Sequence, residues 1–331
     1  MNRATTRCLV AGALLGLLAS ACGGPGDEPA ERSARPTGSV QKFAEGTYMA
    51  EIQKRGTLRV GVKADIPQIG FLNPLTSQFE GFEIDIAKEI AERLGVKPEF
   101  QEAVSDNRIP FLSSDPAKVD LVLSTFTIND ERRKQIDFSV VYYLAGQSLL
   151  VSKDSKIKDI KALADQKGKI CTAKGSTSET NLKAAAPGAE VVLLRAYSEC
   201  VQQLRNNQVE AVSTDDVILL QFIAKEPDRF KLTGGTFSRE PYGVGIKKGR
   251  PEFLEFVNTV LRDIKEDGTW EEIYDRWIKK FSGKAATPPD DDARAAAPSA
   301  APAATSSATP TPVATPPTET AAPSTPAPAP S

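Results

Sequence analysis

The stretch Val119-Asp120-Leu121-Val122-Leu123-Ser124-Thr125-Phe126-Thr127-Ile128-Asn129-Asp130-Glu131-Arg132 decides how the chain is read. Val119 to Leu123 is a compact apolar run bounded by turns and polar residues, the composition of a buried strand. A few residues on, Asn129, Asp130 and Glu131 supply a capping side chain and two acids, as in the first turn of a helix. A buried strand feeding a capped helix is the repeating unit of α/β architecture.

The alternation continues on both sides. Leu58, Val60 and Val62 alternate with Arg59 and Gly61, which suits a short strand. Phe82 to Ile90 leads into a helix with Ile86, Ile90 and Leu94 at four-residue spacing, ended by Gly95. Leu149-Leu150-Val151, Lys169 to Thr172, Val191 to Leu194 and Glu210-Ala211-Val212 read as further strands. Pro251 opens a helix carrying Phe253, Val257, Val260, Leu261 and Ile264. Thr269 caps another, with Glu272 completing a capping box. Trp270, Ile273, Tyr274, Trp277 and Ile278 form its apolar face and read as core. The pattern predicts an α/β fold with largely parallel sheets.

The two ends read differently. Arg3 and Arg7 precede an apolar run from Leu9 to Ala19, shorter than the roughly 20 residues that span a bilayer as a helix, so residues 1–21 read as a secretory signal. The run ends Leu18-Ala19-Ser20-Ala21-Cys22-Gly23, which resembles a bacterial lipobox. That resemblance implies cleavage before Cys22 and its acylation, with Ala19 standing where leucine is usual. Several acyl chains would hold the protein at the outer membrane surface. Residues 22–50 form a tether, polar and rich in Gly and Pro from Gly23 to about Ser39. Residues 282–331, mostly Ala, Pro, Thr and Ser after Asp290-Asp291-Asp292, are expected to be a disordered tail.

Composition narrows the function. A net charge of -2 over 331 residues gives no electrostatic footprint for nucleic acid. The chain has no histidine, which removes His-based triads, His metal ligands and the commonest general base. Its 4 cysteines include no C-x-x-C pair, so no metal or redox motif is expected, and no cofactor.

Four segments carry a specific resemblance: Gly81-Phe82-Glu83-Ile84-Asp85-Ile86-Ala87; Thr125 to Arg132 running on to Ile136-Asp137-Phe138-Ser139 and Tyr142-Tyr143; Lys174-Gly175-Ser176-Thr177-Ser178; and Glu266-Asp267-Gly268-Thr269-Trp270. Their order and spacing over about residues 51–281 resemble bacterial extracellular solute-binding protein family 3, the amino-acid receptors of ABC importers. The resemblance implies a two-lobed periplasmic-binding-protein fold of type II, two α/β lobes joined by two crossing strands. By analogy, lobe 1 comprises residues 51–147 and 241–281, and lobe 2 residues 148–240. It implies a monomeric, extracytoplasmic binding protein that closes around a free amino acid and delivers it to ABC permease subunits.

A free amino acid carries a carboxylate and an ammonium on one carbon, so its site needs a cation and, nearby, an anion. Arg132 can grip a carboxylate through its planar fork. The resemblance gives Arg132 that role, aided by Thr127 and by Thr177 and Ser178 of the second lobe. Thr125 and Lys174 fall in the same two motifs and join them as candidate contacts. Asp215, at the end of a predicted strand where open α/β sheets place ligands, is the candidate ammonium partner, and Asp216 starts the following helix. Lys63 and Arg108 resemble the side-chain contacts of glutamate and aspartate binders. Three cations against Asp215 leave two positive charges, which favours an acidic ligand. Glutamate or aspartate is therefore expected, with glutamine the alternative. A sensor lipoprotein is a second alternative. A third, an enzyme on the same fold such as a dehydratase, is disfavoured because this chain has no histidine and no obvious isolated carboxylate base for the cleft. Cys8 leaves with the signal and Cys22 takes lipid, so Cys171 and Cys200 remain, most simply as a disulfide.

Overall fold

The computed structural model describes residues 41–292. The expected signal segment 1–21, the expected lipidation site Cys22, most of the expected tether and the expected tail beyond residue 292 lie outside the described residues. Two five-stranded sheets organise the chain. The first has the order β5-β1-β6-β13-β7, built from β1 (Thr57–Val62), β5 (Lys97–Glu102), β6 (Leu121–Leu123), β7 (Ile136–Ala145) and β13 (Glu240–Lys247). The second has the order β10-β9-β11-β8-β12, from β8 (Gln147–Ser152), β9 (Lys169–Ala173), β10 (Glu190–Leu194), β11 (Ala211–Asp215) and β12 (Phe230–Thr233). A small antiparallel sheet joins β2 (Asp65–Ile66), β3 (Gly70–Leu72) and β4 (Phe79–Glu80).

Helices fill the crossovers: α1 (Tyr48–Arg55), α2 (Phe82–Leu94), α3 (Arg108–Ser113), α4 (Asp130–Arg133), α5 (Ile160–Asp165), α6 (Thr177–Ala185), α7 (Tyr197–Arg205), α8 (Asp216–Lys225), α9 (Pro251–Glu266) and α10 (Thr269–Tyr274). In each large sheet four strands run the same way and one is reversed, β13 in the first and β8 in the second, in keeping with the largely parallel sheets expected. Each reversed strand is the one the chain enters straight after a crossing: it leaves the first sheet between β7 and β8 and returns between β12 and β13. Gly146, at the first crossing, is bracketed by Asp216, whose side chain accepts its N–H and whose N–H donates to its carbonyl. Phe237 donates its N–H to Gln147 O and links the two crossings.

Of the aromatics expected in the core, Trp270 and Tyr274 are buried and Trp277 is partly buried against it. Trp270 is buried edge-on to Phe82 and donates its indole N–H to Tyr142 O at 2.8 Å. Pro251 is the first residue of α9, and Gly95 ends α2 in a left-handed conformation. Thr269 does not cap α10. Gly268 takes that place with φ +83°, and the reversal brings Asp267 Oδ1 under both the N–H and hydroxyl of Thr269.

At the start of the expected tail, residues 284–292 run along α9 while staying largely exposed. Asp291 pairs with Lys265 and Arg262 at 2.8 Å each, its carbonyl accepts Val141 N–H, and Ala286 packs on the core. The acidic run reads as solvated in sequence because its basic partners are about 26 to 29 residues away, on a helix face.

Candidate functional site

The loops after β1, β6 and β9 and the end of β11 converge where the two large sheets face each other. Arg132 is fixed first by local chemistry. Asn129 caps α4, its Oδ1 accepting Arg132 N–H at 2.9 Å. The guanidinium then donates to Thr127 O at 2.6 Å and, from the other sheet's side, to Gly175 O at 3.3 Å. Gly175 has φ +74°, and a Cβ there would lie 2.6 Å from Asp106 Cα, so only glycine allows this approach. Thr127 Oγ1 and Thr177 Oγ1 stand 3.4 Å apart, and Thr177 Oγ1 donates to Glu240 Oε2 at 2.8 Å.

Asp215 ends β11, buried, with Oδ2 accepting the Tyr242 hydroxyl at 2.5 Å. Its Oδ1 has no hydrogen-bond partner among the described residues. Burial, then the nearby Glu240 charge, hold its carboxyl well above the usual range. Arg132 shows the mirror effect: burial and then Arg108 push it down to about 9, against the pull of Glu240, Tyr197 and Asp215. Asp216 instead serves the start of α8, its Oδ1 accepting Val217 N–H at 2.8 Å. Ser178 is buried beside Thr214, with a hydroxyl–hydroxyl distance of 3.4 Å.

Lys63 is buried, donates to Ser105 Oγ at 3.0 Å, and lies 5.3 Å from the centre of the Tyr197 ring. Burial and then Arg108 lower it to about 8. Arg108 is also buried but heavily occupied. It donates to Ser105 O, Ser124 O and Thr125 O, and its guanidinium carbon sits 4.3 Å from the Phe126 ring centre. Gly245 makes room for that ring, since a Cβ there would lie 2.9 Å from it. Thr125 is buried with φ +45°, its backbone held at both ends. Lys174 is the candidate that the fold places apart: its side chain is 66% exposed on the rim, 3.6 Å from Asp106.

Three buried groups at this site carry no sequence prediction. Glu83, Glu240 and Tyr197 are each almost fully enclosed. Glu83 acts electrostatically on Lys63 and Arg108, and Glu240 on Arg132. The cleft therefore sets three cations, Lys63, Arg108 and Arg132, against three carboxylates, Asp215, Glu83 and Glu240. In formal charge the two added carboxylates offset the excess of two counted from sequence, while burial favours the neutral form of Asp215 and Glu83. No cluster of three His, Cys, Asp or Glu among the described residues could hold a metal ion. Outside the cleft, Cys171 of β9 and Cys200 of α7 form a disulfide.

A family model described as bacterial extracellular solute-binding proteins, family 3, matches residues 58–280. The chain is similar to the ABC transporter glutamine-binding protein of Bacillus subtilis, 39% identical over 80% of this chain and 93% of that one. It is also similar to a glutamine-binding protein of Geobacillus stearothermophilus, 43% identical over 63% and 80%. Among solved structures, an ancestral amino acid-binding protein that is a precursor of cyclohexadienyl dehydratase shares 39% identity, with TM-score 0.65, over 70% of this chain and 99% of that one.

Proposed function

Since this chain belongs to the bacterial extracellular solute-binding proteins of family 3, with their two-lobed type II fold, we propose that it captures glutamine and hands it to an ABC permease outside the cytoplasm. The coarser part, an amino-acid-binding component of an ABC transporter, follows from the family and its relatives. The observation that carries the reading is that one cleft holds a buried Arg132 from one sheet's loops and a buried Asp215 from the other's, close enough to act on each other electrostatically. That is the complement of a carboxylate and an ammonium on one carbon. Thr127, Thr177 and Ser178 add hydroxyl donors around the carboxylate. Lys63, Arg108 and Tyr197 face the side-chain end.

Charge balance supports an uncharged polar side chain over an acidic one. With Glu83 and Glu240 inside, a second ligand carboxylate would meet cations that already face carboxylates of the protein, and an unpaired buried charge is costly. The two glutamine-binding relatives support the same choice. Calorimetric titration with glutamine, glutamate, aspartate, arginine and cystine tests it. Glutamine should bind tightest, and Arg132→Ala or Asp215→Ala should weaken every ligand alike. A preference for glutamate at neutral pH would return the assignment to the acidic class. Lipidation at Cys22 is part of the proposal, and metabolic labelling with palmitate should be lost in Cys22→Ala.

A further inference from the structure

Glu83 has no part in holding the groups common to all amino acids. It stands in the first turn of α2, where its Oε1 accepts the Tyr142 hydroxyl at 2.5 Å and the Thr125 N–H at 2.6 Å. Its Oε2 is buried with no hydrogen-bond partner among the described residues. A carboxylate oxygen enclosed this way is costly unless opposite charge faces it. The charged and titratable groups that face Glu83 are Lys63 after β1, Arg108 on α3, Tyr142 on β7 and Tyr242 on β13.

Thr125 ties Glu83 to Arg108 directly. Glu83 takes its N–H and Arg108 donates to its carbonyl at 3.0 Å. A φ of +45° is an outlier for a β-branched residue and persists where the surroundings over-determine it. The acid and the cation thus grip one strained residue immediately before Phe126 and Thr127.

We propose that Glu83 is the specificity-determining residue of the cleft: its carboxylate, coupled to Arg108 through Thr125, neutralises the Lys63–Arg108 end so that an amide side chain is taken in preference to a carboxylate. The proposal rests on reading the cleft as an amino-acid site. Loss of the Glu83 charge, by protonation or substitution, leaves two cations facing the ligand and favours glutamate. Burial holds Glu83 up to about 7, which puts that change within reach of mild acid. Arg132 and Asp215 meet groups that both ligands share, so the ratio of the two affinities isolates the side-chain end.

The experiment is titration of the wild-type protein and Glu83→Gln with glutamine and glutamate, at about pH 7.5 and about pH 5.5 and one salt concentration. Glutamine at position 83 keeps an oxygen for Thr125 N–H. In the wild type, the affinity for glutamate relative to glutamine should rise roughly tenfold on acidification, the effect of a one-unit linkage difference. Glu83→Gln should show the raised ratio at both pH values. A wild-type ratio that does not change with pH, or a variant that keeps the wild-type ratio and slope, overturns the proposal. If the variant does not fold, the wild-type series is read beside Lys63→Arg, which stays charged at both pH values, and a ratio that no longer changes with pH in that variant overturns the proposal. A wild type that binds neither amino acid defeats the proposed function itself, whereas tight binding with a flat ratio defeats only the role of Glu83.

Discussion

Asp215 and Arg132 are displaced in opposite directions by the same burial, and both displacements point to what they await. Burial pushes the Asp215 carboxyl well above its usual range, and Arg132 is brought down to about 9. A ligand ammonium beside Asp215 favours its ionised form, so binding should release a proton and affinity should rise as pH rises towards the free-state pKa. Calorimetry in two buffers of different ionisation heat should detect that proton, and Asp215→Asn should abolish the buffer dependence. The same substitution should weaken binding by about two to four orders of magnitude, since breaking a buried pair costs about 3–5 kcal/mol. Glu83 gives a prediction about stability. Its folded pKa of about 7 lies above its ordinary 4.5, so the folded state holds the extra proton between those values. Its contribution is therefore greatest below about pH 4.5 and is lost as pH rises through about 7, a change of roughly 3 kcal/mol at about 1.4 kcal/mol per unit. Denaturant melts of Glu83→Gln should show a flatter pH dependence across that window. Arg132 and Asp215 were legible as candidates because each falls in a segment that resembles the family's motifs; taken alone, an arginine in a first helical turn reads as a surface residue. Glu83 was not, because an acid in the first turn of a helix ordinarily needs no further reason. Glu240 and Tyr197 reach the site only through tertiary contacts.

Among the elements, those with clean periodicity were legible and those set by pairing were not. β1, β9 and β10 show apolar runs or alternation, and α2 and α9 carry apolar residues at helical spacing. β5 is half exposed, contains Pro98 and pairs only with β1 at the sheet edge, so its sequence does not announce a strand. β13 carries Gly243 and Gly245 because Ile128 and Phe126 pack where their side chains would be. The disulfide acts at this scale by fixing α7 to β9. Closing a loop with sequence separation 29 contributes about 3–4 kcal/mol in the chain-entropy model. Cys200→Ser should lower the denaturation midpoint accordingly, while glutamine affinity falls by less, because α7 contributes to the site only through Tyr197. The docked segment 284–292 should count for little. Its ion pairs at Asp291 are partly exposed, and such pairs are worth about 0–1 kcal/mol. Truncation after Lys284 should therefore leave the melting midpoint nearly unchanged, and a large loss would show that Ala286 and the Val141 bond matter more than the charges.

At the scale of the whole molecule, the contacts between the two sheet systems fall into two kinds. On the rim are Arg195 with Glu102, Lys174 with Asp106 at 3.6 Å, and Ser198 N–H donating to Asp65 Oδ2 at 3.1 Å. In the interior are Arg132 to Gly175 O, the Thr127–Thr177 hydroxyl pair, and, at β13, the Tyr242 hydroxyl donating to Asp215 and Glu240 accepting from the Thr177 hydroxyl. The rim ion pairs have side chains 33% to 66% exposed, so solvent and salt screen them and each contributes about 0–1 kcal/mol. They cannot hold the two lobes together against the freedom gained on opening. A ligand that engages Arg132 from one side and Asp215 from the other can, because those contacts form away from water. The crossings at Gly146 and near Phe237 are where the backbone would rotate. Small-angle scattering should then show the wild-type radius of gyration fall on addition of saturating glutamine. Arg195→Ala should keep that compaction, with affinity lowered no more than about fivefold, the limit set by a screened surface pair. Arg132→Ala should lose both the compaction and tight binding. If saturating glutamine binds the wild type and the scattering curve stays the same, the lobes do not close on the ligand. The Arg132–Asp215 bridge would then be a site within a fixed frame. If Arg195→Ala abolishes compaction, the rim rather than the ligand holds the closed form.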